Sequence, residues 1–211
     1  SSPETLRAAL LTAAAQRQPD AVRQILAGIR DPAKALAEDG GERLTSALLL
    51  MSEEELRILE PAGLQLPLWA AARLGRIERM KELLAAGADV NEPATPYNRD
   101  TPLFLAVRSQ QQAAAKLLLE KGADPNLRWN NWTHPTPLHE AAEKGDSEVA
   151  RLLVGHKADP NPLDNLGRPP LYFAVVAANL DLARILVEAG EAVQDRRLQG
   201  AAPSRGHGRD R

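Results

Sequence analysis

Four histidines, His134, His139, His156 and His207, are the residues best suited to chemistry near neutral pH, where imidazole can move a proton or hold a metal. A metal centre needs three or four donors at workable spacing, and no two of these histidines stand four apart on one predicted helix. The absence of cysteine removes thiolate zinc sites, disulfides and a cysteine nucleophile, and leaves the redox compartment open. Serine has no G-x-S-x-G setting, and neither G-x-x-x-x-G-K-[ST] nor a strand-flanked G-x-G-x-x-G occurs. No catalytic residue, metal or cofactor is therefore expected. Asp89, Asp124 and Asp159 recur with a fixed period, so loop structure explains them better than acid–base work. The run Glu53, Glu54 and Glu55 reads as a helix amino terminus favoured by the dipole.

The elements that position these residues come from a unit recurring every 33 to 35 residues, which points to a solenoid instead of one globular core. Copies start at Leu66, Thr101, Thr136 and Pro169: LPLWAAARLGRIERMKELLAAGADVN, TPLFLAVRSQQQAAAKLLLEKGADPN, TPLHEAAEKGDSEVARLLVGHKADPN and PPLYFAVVAANLDLARILVEAGEAVQ. In each, a proline (Pro67, Pro102, Pro137, Pro170) sits at a helix start, where a missing N–H costs nothing. Thr101 and Thr136 can cap two of those starts. The small pairs Ala71 and Ala72, Ala106 and Val107, Ala141 and Ala142, and Ala174 and Val175 let the first helices approach closely. A second, amphipathic helix follows, with Leu117, Leu118 and Leu119 or Val149, Leu152 and Leu153 forming a seam between copies. Gly87, Gly122 and Gly190 are expected to stop that helix in the left-handed conformation before a projecting loop. The third copy carries Lys157 there, at a cost on the order of 1 kcal/mol unless Gly155 ends the helix one turn early.

The TPLHxAA opening and GADxN ending together resemble the ankyrin repeat over residues 66–194. The resemblance implies an all-α solenoid of stacked helix-turn-helix repeats with projecting hairpin loops, and gives His139 the part of a turn-bracing group. Four repeats are expected over 66–194. Divergent helical, ankyrin-like repeats are expected over 1–65, where Leu10 to Gly28 keeps the small-residue helix, break and apolar helix. Ser52 and Glu55 form a capping box in the more degenerate stretch before Gly63. A polar, basic tail is expected over 195–211, with five arginines against two aspartates from Gln194 onward.

Aromatic residues make up only 3% of the chain, so small and aliphatic side chains must fill the core, in keeping with an all-helical protein. A net charge of −2 gathers neither nucleic acid nor anionic membrane, and no run of about 18 apolar residues is present to span a bilayer. The chain is expected to be soluble, cytoplasmic or exported to a periplasm, and monomeric or in a heterocomplex. A first residue that is Ser1 instead of methionine predicts a trimmed chain.

A protein partner is expected on the concave face, built from the projecting turns and the inner side of each first helix. Trp129 and Trp132 share one turn with Arg128, and the preceding turn carries Tyr97, Asn98 and Arg99. Tryptophan is the residue type most enriched among interface hot spots, although these two could instead brace an enlarged finger. Arg73, Arg108, Glu143 and Lys144 follow the small pairs and complete the candidate surface; a solvated helix face is the alternative. Trp69, in the place of His139, is read as local packing. The function expected is a non-enzymatic module that occludes a toxin or enzyme, as an inhibitor or immunity-type protein, with a composition weakly suggestive of a bacterial source. An adaptor, scaffold or secreted effector binding a host protein is the alternative. An enzyme with a site between the first 65 residues and the repeats is the remote one.

Overall fold

The computed structural model describes residues 66–94, 100–128 and 133–200, with side chains to residue 194, and isolated positions between Ala9 and Ile25. Tyr97, Asn98, Arg99, Trp129 and Trp132 lie outside the described residues, as do residues 31–65 and 201–211. Eight helices run from residue 68: α1 (Leu68–Arg73), α2 (Ile77–Ala85), α3 (Pro102–Arg108), α4 (Gln112–Glu120), α5 (Pro137–Lys144), α6 (Ser147–Gly155), α7 (Pro170–Val176) and α8 (Leu180–Gly200). They form four pairs. The first helices α1, α3, α5 and α7 pack in succession as one layer, and the second helices α2, α4, α6 and α8 as another.

The helix starts follow from the residues that precede them. Pro102, Pro137 and Pro170 occupy the first helical position, and the Thr101 hydroxyl accepts from the Phe104 N–H at 3.2 Å. Pro67 precedes α1 as its cap residue, with no side-chain cap. Ala71, Ala72, Ala106, Ala141, Ala142 and Ala174 are fully buried between neighbouring first helices, which explains the small side chains. Trp69 and Phe104, at the position of His139, are buried as well. In the second layer, Ala114, Ala115, Leu118 and Leu119 of α4, and Val149, Ala150 and Leu153 of α6, share the core at three- and four-residue spacing.

The first three pairs need a left-handed residue at two turns, and the last pair at one. Between the helices it is Gly75, Gln110, Gly145 or Ala178; after the second helix it is Gly87, Gly122 or Lys157. Helix α6 ends at Gly155 in register with its siblings, so Lys157 takes φ 69° and is strained where Gly87 and Gly122, at 90° and 89°, are not. Lys157→Gly is expected to raise stability by roughly 1 kcal/mol, read as a higher urea midpoint at unchanged slope.

The expected stop at Gly190 does not occur: α8 continues through it to Gly200, into the segment assigned to the tail. Earlier copies place Asp and Asn after the glycine. Asp89, Asp124 and Asp159 each accept the N–H of Asn91, Asn126 or Asn161 two residues on, at 2.8 to 3.0 Å, which turns the chain out of the helix. The last copy has Glu191, Ala192, Val193 and Gln194 instead, residues that compete less with helical hydrogen bonding, and the helix propagates. The Asn side chains also link copies: Asn91 Oδ1 accepts from the Asp124 N–H at 2.9 Å and Asn126 Oδ1 from the Asp159 N–H at 2.8 Å.

The last pair differs at its outer face. Val175 is 64% exposed where its counterpart Ala142 is fully buried, and Tyr172, Val176 and Leu180 are exposed beside it.

Candidate functional site

The loops that enter α5 and α7 bring a set of charged side chains together on the first-helix layer. Asp164 closes the loop before α7. Its N–H donates to the Arg168 carbonyl at 3.0 Å, and its Oδ1 accepts from the N–H groups of Leu166 and Arg168 at 2.9 and 2.8 Å. Oδ2 accepts from Arg168 Nε and Nη2, both at 2.8 Å. Burial would raise this carboxyl, but the hydrogen bonds from Arg168 and Leu166 and the Arg168 charge outweigh it and hold it below the ordinary 3.8. The same guanidinium lies 4.9 Å from the Phe173 ring centre and 5.6 Å from that of Tyr172.

His139 links this loop to α5. Its Nδ1 accepts from the Thr136 N–H at 3.1 Å and lies 2.9 Å from the Thr136 hydroxyl, while Nε2 lies 3.0 Å from the Arg168 carbonyl. The carbonyl requires a donor, so the proton belongs on Nε2 and the ring is neutral. Burial pushes its pKa below 6.5, against the opposing effects of the Arg168 carbonyl and Asp164 charge. The unfolded chain then binds the proton more readily, so the stability gained is fully present above pH 6.5 and declines as pH falls towards the folded value. The slope there should reach at most about 1.4 kcal/mol per pH unit and vanish in His139→Phe, read from urea midpoints across pH.

Between the two loops opens a cleft of ≈ 340 Å³, at the small end of the range of about 300–1,000 Å³ usual for ligand sites. Arg108 of α3, Glu140, Glu143 and Lys144 of α5, and Asp164, Arg168 and Phe173 line it. Glu143 and Lys144 are exposed, whereas the Glu140 side chain is only 9% exposed. Its partner is the Lys144 ammonium at 3.8 Å, longer than a hydrogen bond. Burial raises the Glu140 pKa above its ordinary 4.5, and the charges of Arg108 and Lys144 only partly offset it.

Of the expected surface, the cleft unites Arg108, Glu143 and Lys144. Arg73 lies two repeats away on α1, partly buried and outside the cleft lining. Arg128 ties its finger to the next loop, donating to the carbonyls of His134 and Leu163 at 3.2 and 2.8 Å. Glu140, Asp164 and Arg168 were not singled out by sequence. Glu140 departs from its column, where the other repeats have Ala70, Leu105 and Phe173.

His139 uses both ring nitrogens, and Asp164 is saturated by Arg168 and backbone donors. Among the described residues, no group of three or more His, Cys, Asp or Glu could hold a metal ion, and no helix is long and apolar enough to cross a membrane.

No curated protein gives a significant match to the chain. The family model for ankyrin repeats, in three copies, matches residues 10–129 and again residues 129–197. Together these matches span most of the sequence, and the helical pairs, capped starts and linked Asp-Asn turns give them a physical basis. The chain belongs to the ankyrin-repeat family, whose repeats serve typically as non-enzymatic modules for binding proteins.

Proposed function

We propose that the chain holds one protein partner across its first-helix layer and fingers, and acts as an inhibitor or immunity-type protein that occludes a toxin or enzyme. The observation that carries this reading is the charged cleft between α3, α5 and the loop before α7, where Arg108, Glu140, Glu143 and Lys144 converge. Charges gathered at one surface select a partner by complementarity and speed its approach. Trp129 and Trp132, in the sequence run before Thr133, are proposed as the apolar anchors, with Tyr97, Asn98 and Arg99 of the preceding repeat.

The test is affinity capture from source-cell extract with three forms: intact protein, an Arg108→Glu, Lys144→Glu variant, and a Trp129→Ala, Trp132→Ala variant. Circular dichroism first establishes that all three fold equally. One partner held by the intact protein and lost by both variants supports the surface, and loss of that partner's activity at stoichiometric addition supports inhibition. Equal capture by all three forms rejects the surface. A captured partner that stays fully active rejects the inhibitor reading.

A further inference from the structure

The four first helices offer an internal comparison. In the column three residues after the repeat's proline stand Ala70, Leu105, Glu140 and Phe173, with Ala70 and Leu105 buried and Phe173 partly buried against the core. A carboxylate in that column is not required by the fold, since alanine, leucine and phenylalanine serve the same role in sibling repeats. Taking a carboxylate out of water is costly unless close partners replace the water. Glu140 has the Lys144 ammonium at 3.8 Å and the charge of Arg108 acting on it, and its side chain is nine-tenths buried in the lining of an open cleft.

We propose that Glu140 is the receptor for an arginine side chain presented by the protein partner, an inference that rests on the binding role proposed above. A guanidinium entering the cleft could give the carboxylate two parallel N–H···O bonds, the geometry that arginine matches best. Glu143 at the rim supplies a second acceptor, and Phe173 in the lining supplies an aromatic surface. The charged and titratable groups facing Glu140 are Arg108 from α3, His139, Glu143 and Lys144 from α5, and Asp164 and Arg168 from the loop before α7. Arg168 is committed to Asp164 at 2.8 Å. Arg108 and Lys144 offset only part of the burial that disfavours the charged form of Glu140. Lys144 sits too far for a close bond and is displaced towards solvent.

The probe is Nα-acetyl-arginine methylamide, titrated into the intact protein and followed by amide NMR shifts. Saturable shifts are expected at Glu140, Glu143 and Lys144, with affinity about tenfold weaker in Glu140→Gln and falling as acid protonates Glu140. Nα-acetyl-glutamate methylamide should produce none there. Glu140→Leu, which installs the residue found at position 105, should abolish probe binding yet raise the melting temperature by about 3 °C. The proposal is overturned if the arginine amide gives no saturable shift at the cleft, if Glu140→Gln binds it equally, or if the glutamate amide occupies the same place. A lower melting temperature in Glu140→Leu overturns it too, by making Glu140 a structural residue. Probe binding is read without any partner, so failure to capture a protein counts against the inhibitor role while leaving the arginine site standing.

Discussion

Leu153→Ala should lower the unfolding free energy by about 3–4 kcal/mol, within the range of about 2–5 kcal/mol for truncating a buried leucine. Leu153 is fully buried, and its helix α6 packs against α4, α5 and α8. The second layer meets the first at this seam, and the surrounding alanines Ala150, Ala141 and Ala142 have no rotamers with which to fill a void. Urea denaturation followed by circular dichroism gives the loss directly. A loss under about 1 kcal/mol would mean that the layers collapse onto the gap, contrary to the close packing of the alanine pairs. Since repeats contact only their neighbours, hydrogen exchange should rise first in α5 and α6, next in the flanking pairs α3–α4 and α7–α8, and least in α1 and α2.

Asp164→Ala should cost about 3 kcal/mol, because it leaves two backbone N–H groups and a guanidinium without their acceptor at once. Leu166 N, Arg168 N and the Arg168 side chain all depend on this carboxylate, whose side chain is 1% exposed. Loosening Arg168 also frees the carbonyl that braces His139, so damage spreads from the loop to the start of α5. The effect has a pH signature. The folded pKa lies below 3.8, so the stabilisation is present above that value and lost as pH falls through the folded pKa. The gap between wild type and Asp164→Ala should therefore be full at neutral pH and shrink in strong acid, as denaturation midpoints at both ends would record. A gap independent of pH would mean that the loop is held by packing instead of by the ionised carboxylate.

Much of this architecture is readable from residue types because each repeat tests the others. A proline at or beside the helix start and a small-residue pair recur in all four copies at one spacing, and an Asp-x-Asn turn in three, more often than chance repeats. A single residue misleads where its neighbours differ from those of its siblings. Gly190 resembles Gly87 and Gly122, but a glycine ends a helix only when the following residues can take over its hydrogen bonds, and Glu191 to Gln194 do not. Left-handed turns at Gln110 and Ala178 carry no glycine signal, since stacking on the neighbouring pair overrides local preference. At the cleft, exposed Arg108, Glu143 and Lys144 were legible as charges on a helix face. Glu140 was hidden inside a motif whose corresponding place accepts several residue types. Its depth depends on α3 and the loop before α7, elements distant in sequence.

The run Glu191, Ala192, Val193 and Gln194 works as punctuation. Where Ala158, Asp159, Pro160 and Asn161 write a comma, turning the chain out to begin another clause, these four residues write a full stop and the helix runs on. Array length is thus spelled in a few side chains, separately from the packing that holds each layer. Ala192→Asp with Gln194→Asn would restore the comma. Beside it the exposed face of Tyr172, Val175, Val176 and Leu180 still has the form of a page awaiting its successor, so a grafted repeat would find its docking surface already laid out.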